Sequence, residues 1–447
     1  MRVCRTLALV VILVSSFAAS CGSLDTLKTH LWATKTPAEA YAESFAAQHT
    51  EEYTLPPGKL RKAIALNHIG EILAIAGGVW TLLQLILILG LGIAARLRDA
   101  ALRLSGNRWV QGLAFVFLLL LLTGLLDLPL EIYGHHIGLA YGLSVQGWGS
   151  WLADRAKTFA LEWLIGAPLV MLIFWVIRRS PTRWWFWFWI PAVLLLVGGV
   201  FVTPYVIDPL FNSFEPLAVS DPALVQQLEK VVARSGIAIP PERMFLMRAS
   251  AKYTGLNAYV TGFGASKRIV VWDTTVEKST PDEIAFIFAH ELGHYALGHV
   301  VTGTALTCVA LLPLFWLGHR GVRLLLRRFG TAWRIPTQED WGALVVLLLV
   351  LSTLSALAEP IANEFSRTIE HDADVYGQEA VHGIVGDPQA VGLRSFQVLG
   401  EDSLDDPTPH PAFDLWFGSH PPIWFRAAFA EAYDPWAPGE HPKYFAK

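Results

Sequence analysis

The stretch FAHELGHYALGHV, Phe288 to Val300, sets His290, Glu291 and His294 in the pattern H-E-x-x-H and then runs directly into the apolar segment Val300–Gly318. On a helix, residues four apart lie one turn apart on the same face, so both imidazoles can reach one metal ion. Glu291 then stands beside them, placed to take a proton from metal-activated water. The same letters could also be an ordinary polar stripe on a membrane helix. The choice depends on what surrounds them.

What surrounds them is apolar. The 447-residue chain is 53% hydrophobic and 16% charged, against about 25% charged in soluble domains. Ile72–Ala95, Trp109–Leu126, Trp184–Ile207, Val300–Gly318 and Trp341–Ala358 each have the length needed to cross a bilayer, about 18–24 residues. Thr158–Ile177, interrupted by Glu162, is a sixth candidate. These runs define a polytopic, predominantly α-helical membrane protein with the lipid bilayer as a partner. A net charge of −4 gives no electrostatic case for a nucleic-acid partner. Of the three cysteines, Cys4 and Cys308 fall in apolar runs, which argues against a disulfide framework.

Residues 1–23 read as a signal-like segment or a first transmembrane helix. Arg2 and Arg5 precede an apolar core at Leu7–Val14, and small residues lead to Cys21, the anatomy of an export signal. Ala18 to Cys21 also resembles a lipoprotein cleavage box, which leaves cleavage, retention and lipidation open. Residues 24–68 read as an exposed loop and 69–208 as a four-span region. A catalytic insert follows at 209–299, then two spans at 300–360, and residues 361–447 hold a further helix and tail. Within the insert, Pro222–Ser235 has helical spacing. Asn257–Thr261 and Arg268–Trp272 read as a strand hairpin joined through Gly262–Ser266, and Pro281–Val300 reads as one continuous helix. On that helix His299 would point to the far side, as a boundary or structural histidine.

Two histidines need a third ligand. The long form of the motif fails, because Val300 occupies the position of a third histidine and Leu297 that of the expected glycine. SRTIEHDADVYG, Ser366 to Gly377, offers Glu370 and Asp374, four apart on one helical face. Glu370 can complete a His₂Glu set for Zn²⁺, and Asp374 can accept the N–H of a ligand histidine. Alone, the two acids would read as a solvated face; with His290 and His294 present they read as ligand and support.

With these residues assembled, the chain resembles the integral-membrane zinc metalloproteases of the type I CAAX prenyl endopeptidase family. DLPLEIYGHH (Asp127–His136), DPLFNSFEPL (Asp208–Leu217), LNAYVTGFGASKRIVVWDT (Leu256–Thr274), SRTIEHDAD (Ser366–Asp374) and SHPPIWFR (Ser419–Arg426) follow the family's motifs in order. The resemblance implies six to seven transmembrane helices enclosing a chamber, with a zincin-like α+β metalloprotease insert. It implies that Asn257 holds substrate, that His420 stabilises the oxyanion, and that Arg426 lies near the acidic third-ligand helix as a further substrate-binding residue. Thr254-Gly255-Leu256 departs from the polar run usual before the asparagine, so substrate preference is the property that transfers least.

The expected activity is that of a membrane-embedded zinc endopeptidase acting on peptide or protein substrates. C-terminal or lipidated peptides and membrane-protein quality-control substrates are both candidates. A transporter, or an inactive scaffold with a structural zinc, is the rival reading. A transporter should carry broken or charged spans near mid-bilayer, and a scaffold has no use for Glu291. Arginines cluster after alternate spans: Arg96, Arg98, Arg103 and Arg108; Arg178, Arg179 and Arg183; Arg320, Arg323, Arg327, Arg328 and Arg334. The insert, by contrast, has no Lys or Arg from Pro209 to Glu229. This asymmetry puts the basic loops in the cytoplasm and the insert on the outer, periplasmic side of a bacterial inner membrane. Prenylated substrates arise on the opposite side, so orientation and a prenylated substrate pull apart.

Overall fold

The computed structural model describes residues 35–262 and 267–445; the N-terminal segment, with Cys21 and the question of its cleavage, and the hairpin tip lie outside them. Among the described residues six helices are long and apolar enough to cross a membrane. In chain order the helices are α1 (Pro37–Ala46), α2 (Pro57–Gly90), α3 (Ile93–Leu104), α4 (Arg108–Ala140), α5 (Trp148–Arg179), α6 (Trp184–Val202), α7 (Pro222–Ser235), α8 (Pro281–Ala296), α9 (His299–Trp333), α10 (Ala343–Ala380), α11 (Pro388–Ser403), α12 (Pro411–Phe417) and α13 (Ile423–Ala432). The spans are α2, α4, α5, α9, α10 and α6 with its extension to Phe211. Their outer faces are bare: Ile72 and Val309 are each 66% exposed, a surface that water would not tolerate and lipid does.

The first span ends earlier than the apolar run suggests. Gly92 adopts φ 67°, a left-handed conformation that glycine takes at little cost, and this separates α2 from α3. Every span joins the same two ends of the molecule. At one end Arg98 donates to the Arg334 carbonyl, Arg108 to the Glu339 carbonyl and Gln338 to the Pro181 carbonyl, so the arginine-rich loops interlock. At the other end the α4–α5 loop pairs with the insert through Ser144 and Tyr253.

The insert carries a four-stranded sheet in the order β1-β2-β4-β3, from β1 (Phe214–Pro216), β2 (Met244–Met247), β3 (Ala258–Thr261) and β4 (Arg268–Trp272). The expected hairpin is present as antiparallel β3–β4, Ala258 opposite Val271 and Thr261 opposite Arg268. β4 also pairs in parallel with β2, which leaves β3 at the sheet edge. One face of the sheet, through Leu246, Val260, Ile269 and Val271, packs with Ile284, Phe288 and Leu292 of α8 in the main core. β1 and β2 escape a reading of the sequence because they are short and no nearby turn joins either to its partner, as one joins β3 to β4.

Two expectations are corrected. The stretch expected as an exposed loop holds α1, whose Thr36 and Glu39 form a capping box and whose Ala38, Ala42 and Ala46 are buried. They pack with Ala428, Phe429 and Tyr433 in one cluster. Small residues four apart make this seam, and alanine does not stand out against the glutamates between. The span that follows begins at Pro57, the first residue of α2. The expected continuous helix Pro281–Val300 is also broken. A Thr280/Glu283 capping box opens α8, but Gly298 at φ 71° ends it and starts α9 in a new direction.

The C-terminal tail closes on α10. The fully buried Glu379 carboxylate accepts from the backbone N–H groups of Lys443, Tyr444 and Phe445 and from the Tyr433 hydroxyl. An anion buried so deeply needs this many donors to persist.

Candidate active site

The site lies where α8 crosses α10. At the crossing a Cβ on Gly377 would come within 2.9 Å of the His290 backbone nitrogen, and one on Gly293 within 3.0 Å of the Tyr376 ring. Glycine at both positions lets the two backbones approach, and the side chains one turn away then converge. His290 Nε2 stands 3.3 Å from His294 Nε2 and 3.3 Å from Glu370 Oε2, and His294 Nε2 is 3.6 Å from Glu370 Oε1.

A tetrahedral zinc ion with bonds of about 2.0–2.1 Å spaces its ligands about 3.3–3.5 Å apart. The two 3.3 Å separations match such an edge, and the third, 3.6 Å to the other Glu370 oxygen, lies just beyond it. Glu370 Oε2 is buried and faces His290 Nε2 at 3.3 Å and His420 Nε2 at 3.4 Å, placed where it could also take a cation. The residues present therefore fit a metal of this kind.

The electrostatics agree. Burial disfavours charge on His290, but its hydrogen bonds to Asp374 and Glu370 outweigh this and hold its pKa above the usual imidazole value. Burial and repulsion from His290 push His294 below it. A cation bound between the two Nε2 atoms would require both to be unprotonated, so its binding would release protons. Burial pushes the Glu291 carboxyl up to about 7, with His290 opposing.

Support for the triangle comes from the C-terminal part of the chain. Asp374 Oδ1 accepts from His290 Nδ1 at 2.8 Å and from Arg426 Nη2 at 2.7 Å, while Oδ2 accepts from Arg426 Nε at 2.9 Å. Arg426 lies over the Phe396 ring, 4.6 Å from its centroid. His420, on the loop before α13, brings Nε2 to 3.4 Å from Glu370 Oε2 and shares a hydrogen bond with Ser419. A cavity of about 370 Å³ flanks it, bounded by Asp406, His420, Ile423 and Arg426 among others.

The structure thus gathers His290, Glu291, His294, Glu370, Asp374, His420 and Arg426. Asn257 stands apart at the head of edge strand β3. Its N–H donates to the Thr275 hydroxyl, its carbonyl accepts from the same hydroxyl, and its side chain is exposed. Arg426, expected at the substrate, instead forms a two-pronged ion pair with Asp374.

His299, expected to face away, is buried with Nδ1 3.1 Å from His294 Nδ1. The glycine one residue before it is the sequence signal that could have found the turn. A second grouping, Glu39, Glu43 and His371, also lies within ligand reach. There Lys443 and Lys35 already sit on the two carboxylates.

Apolar spans and a buried His₂Glu triangle with an adjacent glutamate define a multi-pass membrane protein of the metallopeptidase class. Comparison with known proteins makes the assignment specific. Residues 53–213 match the family model described as CAAX prenyl protease N-terminal, five membrane helices, and residues 219–434 match that of peptidase family M48. The chain belongs to peptidase family M48. It is 34% identical to the uncharacterized metalloprotease YhfN of Bacillus subtilis, over 72% of this chain and 74% of that protein. It is 27% identical to CAAX prenyl protease 1 of Saccharomyces cerevisiae, over 70% of each. In fold it is similar to the crystal structure of S. mikatae Ste24p, with a TM-score of 0.73 and 24% identity, covering 90% of this chain and 99% of that one.

Proposed function

We propose that the chain is a zinc-dependent endopeptidase that cuts extended peptides at a membrane, with Glu291 as its general base. The observation that carries this reading is the ligand triangle, with edges of 3.3, 3.3 and 3.6 Å and Glu291 adjoining it in sequence. A zinc ion held by His290, His294 and Glu370 would act as a Lewis acid on the scissile carbonyl and lower the pKa of water toward about 7. Glu291 takes the proton of the attacking water and delivers it to the leaving nitrogen. His420 donates from Nε2 to the developing oxyanion, a contact that strengthens as charge accumulates.

Asp374 holds the His290 ring with Nε2 toward the ligand position, and Arg426 locks Asp374 in turn. This replaces the substrate contact expected of Arg426. The free edge of β3, with Asn257 at its head, offers backbone groups to an extended peptide, which would lie as a fifth strand.

Two substrate classes suit a site at a membrane: C-terminal peptides carrying a lipid, as the name of the yeast relative suggests, and segments of damaged membrane proteins. The arginine distribution supports a catalytic insert on the outer face of a bacterial inner membrane, which favours the second class. The test is cleavage-site profiling of a mixed peptide library, with and without prenylated members, by the purified protein in detergent. Glu291→Gln serves as the blank. Cleavage by that variant at the wild-type rate would sink the proposal, and the preferred peptides decide between the two classes.

A further inference from the structure

Asp374 serves His290, but the other histidine of the triangle has no carboxylate on its outer nitrogen. His294 presents Nε2 to the ligand position, and its Nδ1 lies 3.1 Å from Nδ1 of His299. The rings meet at 70° with centroids 5.2 Å apart, and His299 is 4% exposed. On an unbroken helix a residue five positions on would lie about 140° around the axis. Gly298, in its left-handed conformation, ends α8 and brings His299 back onto His294.

Two nitrogens at 3.1 Å share one proton, and its location matters. If His294 carries it on Nδ1 and donates to His299, its Nε2 lone pair faces the triangle and can bind a cation. If His299 donates instead, the single proton of a neutral His294 sits on Nε2 and blocks the ligand position. We propose that His299 is a positioning residue that accepts the His294 Nδ1–H and so fixes that ring in its ligating tautomer, as Asp374 does for His290. The inference rests on the zinc reading above and adds a member to the site. It also makes the support asymmetric, with a carboxylate behind His290 and an imidazole behind His294.

Substitutions separate hydrogen bonding from shape. His299→Asn sets its side-chain oxygen near the place of Nδ1 and still accepts the proton; His299→Leu fills the space and cannot. The full chain, purified in detergent and stripped of metal, is titrated with zinc against a chromophoric chelator, and the cobalt-loaded forms are compared by visible absorption. His299→Leu is expected to lose about 10–100-fold in zinc affinity and to shift the cobalt bands. His299→Asn is expected to keep both near the wild-type values. Thermal unfolding of the metal-free variants checks that each is folded. Equal affinity in all three forms overturns the inference, and so does an equal loss in Asn and Leu, which would mark a packing role only. Should His299→Leu fail to fold, loss of affinity in a folded His299→Asn overturns it alone. A wild-type chain that takes up no zinc defeats the functional reading itself, an outcome distinct from any difference among variants.

Discussion

Glu291 adjoins His290 in sequence, yet a metal held by His290, His294 and Glu370 would not require it. Its replacement by glutamine keeps the shape and removes the base, so metal content should stay at one zinc per chain. Turnover should fall by about 10²–10⁴-fold; near-normal turnover would exclude Glu291 as the base. The raised carboxyl also has a pH signature. Burial holds Glu291 up at about 7 without a cation, and a bound cation draws it down. A base works deprotonated, so kcat/KM should fall on the acid side, about tenfold per unit, with a midpoint at or below about 7. The Glu291→Gln variant should lack that limb, and an identical profile in the variant assigns the limb to another group. At the ligands the outcome is different: Glu370→Ala removes one corner of the triangle and should lose metal and activity together. Full metal occupancy in that variant would remove Glu370 from the ligand set.

The crossing of α8 and α10 depends on two glycines, and the spacing of histidines and acids gives no hint of this. A methyl group on Gly377 meets the His290 main chain, which cannot turn aside like a side chain. Gly377→Ala should therefore cost about 1–3 kcal/mol and lower zinc occupancy, read by thermal unfolding and metal analysis; a variant unchanged in both would show that the helices can part freely. Helix-period and alternation signals made α8, the six spans and the β3–β4 hairpin legible in the sequence, because each repeats its pattern over enough residues. The convergence of His290, His294, Glu370 and Asp374 was legible too, since Glu370 and Asp374 repeat on α10 the four-residue spacing of the histidines on α8. The α8–α9 break was not, because a single glycine decides it against an otherwise helical stretch. Nor was α1, whose buried face is alanine; for Arg426 the resemblance gave only a place near the acidic helix, and its two-pronged pairing with Asp374, 52 residues away, is set by the fold.

All six spans run between an end laced together by arginines and an end that carries the insert, and this polarity gives a test of sidedness. In a background lacking Cys4, Cys21 and Cys308, a cysteine at the exposed Ser220 should react with an impermeant thiol reagent in intact cells. One at the exposed Thr182 should not. The reverse pattern would put the insert in the cytosol, where prenylated C-termini arise. The tail that cages Glu379 sets a clock on assembly. A ribosome building this chain completes His290, His294 and Glu370 well before it supplies Arg426 and the amides of residues 443–445. The unfinished polypeptide therefore lacks the arginine that pairs with Asp374, the residue behind His290. The Asp374–Arg426 pair and the cage around Glu379 therefore close only after the last stretch of the chain has been made.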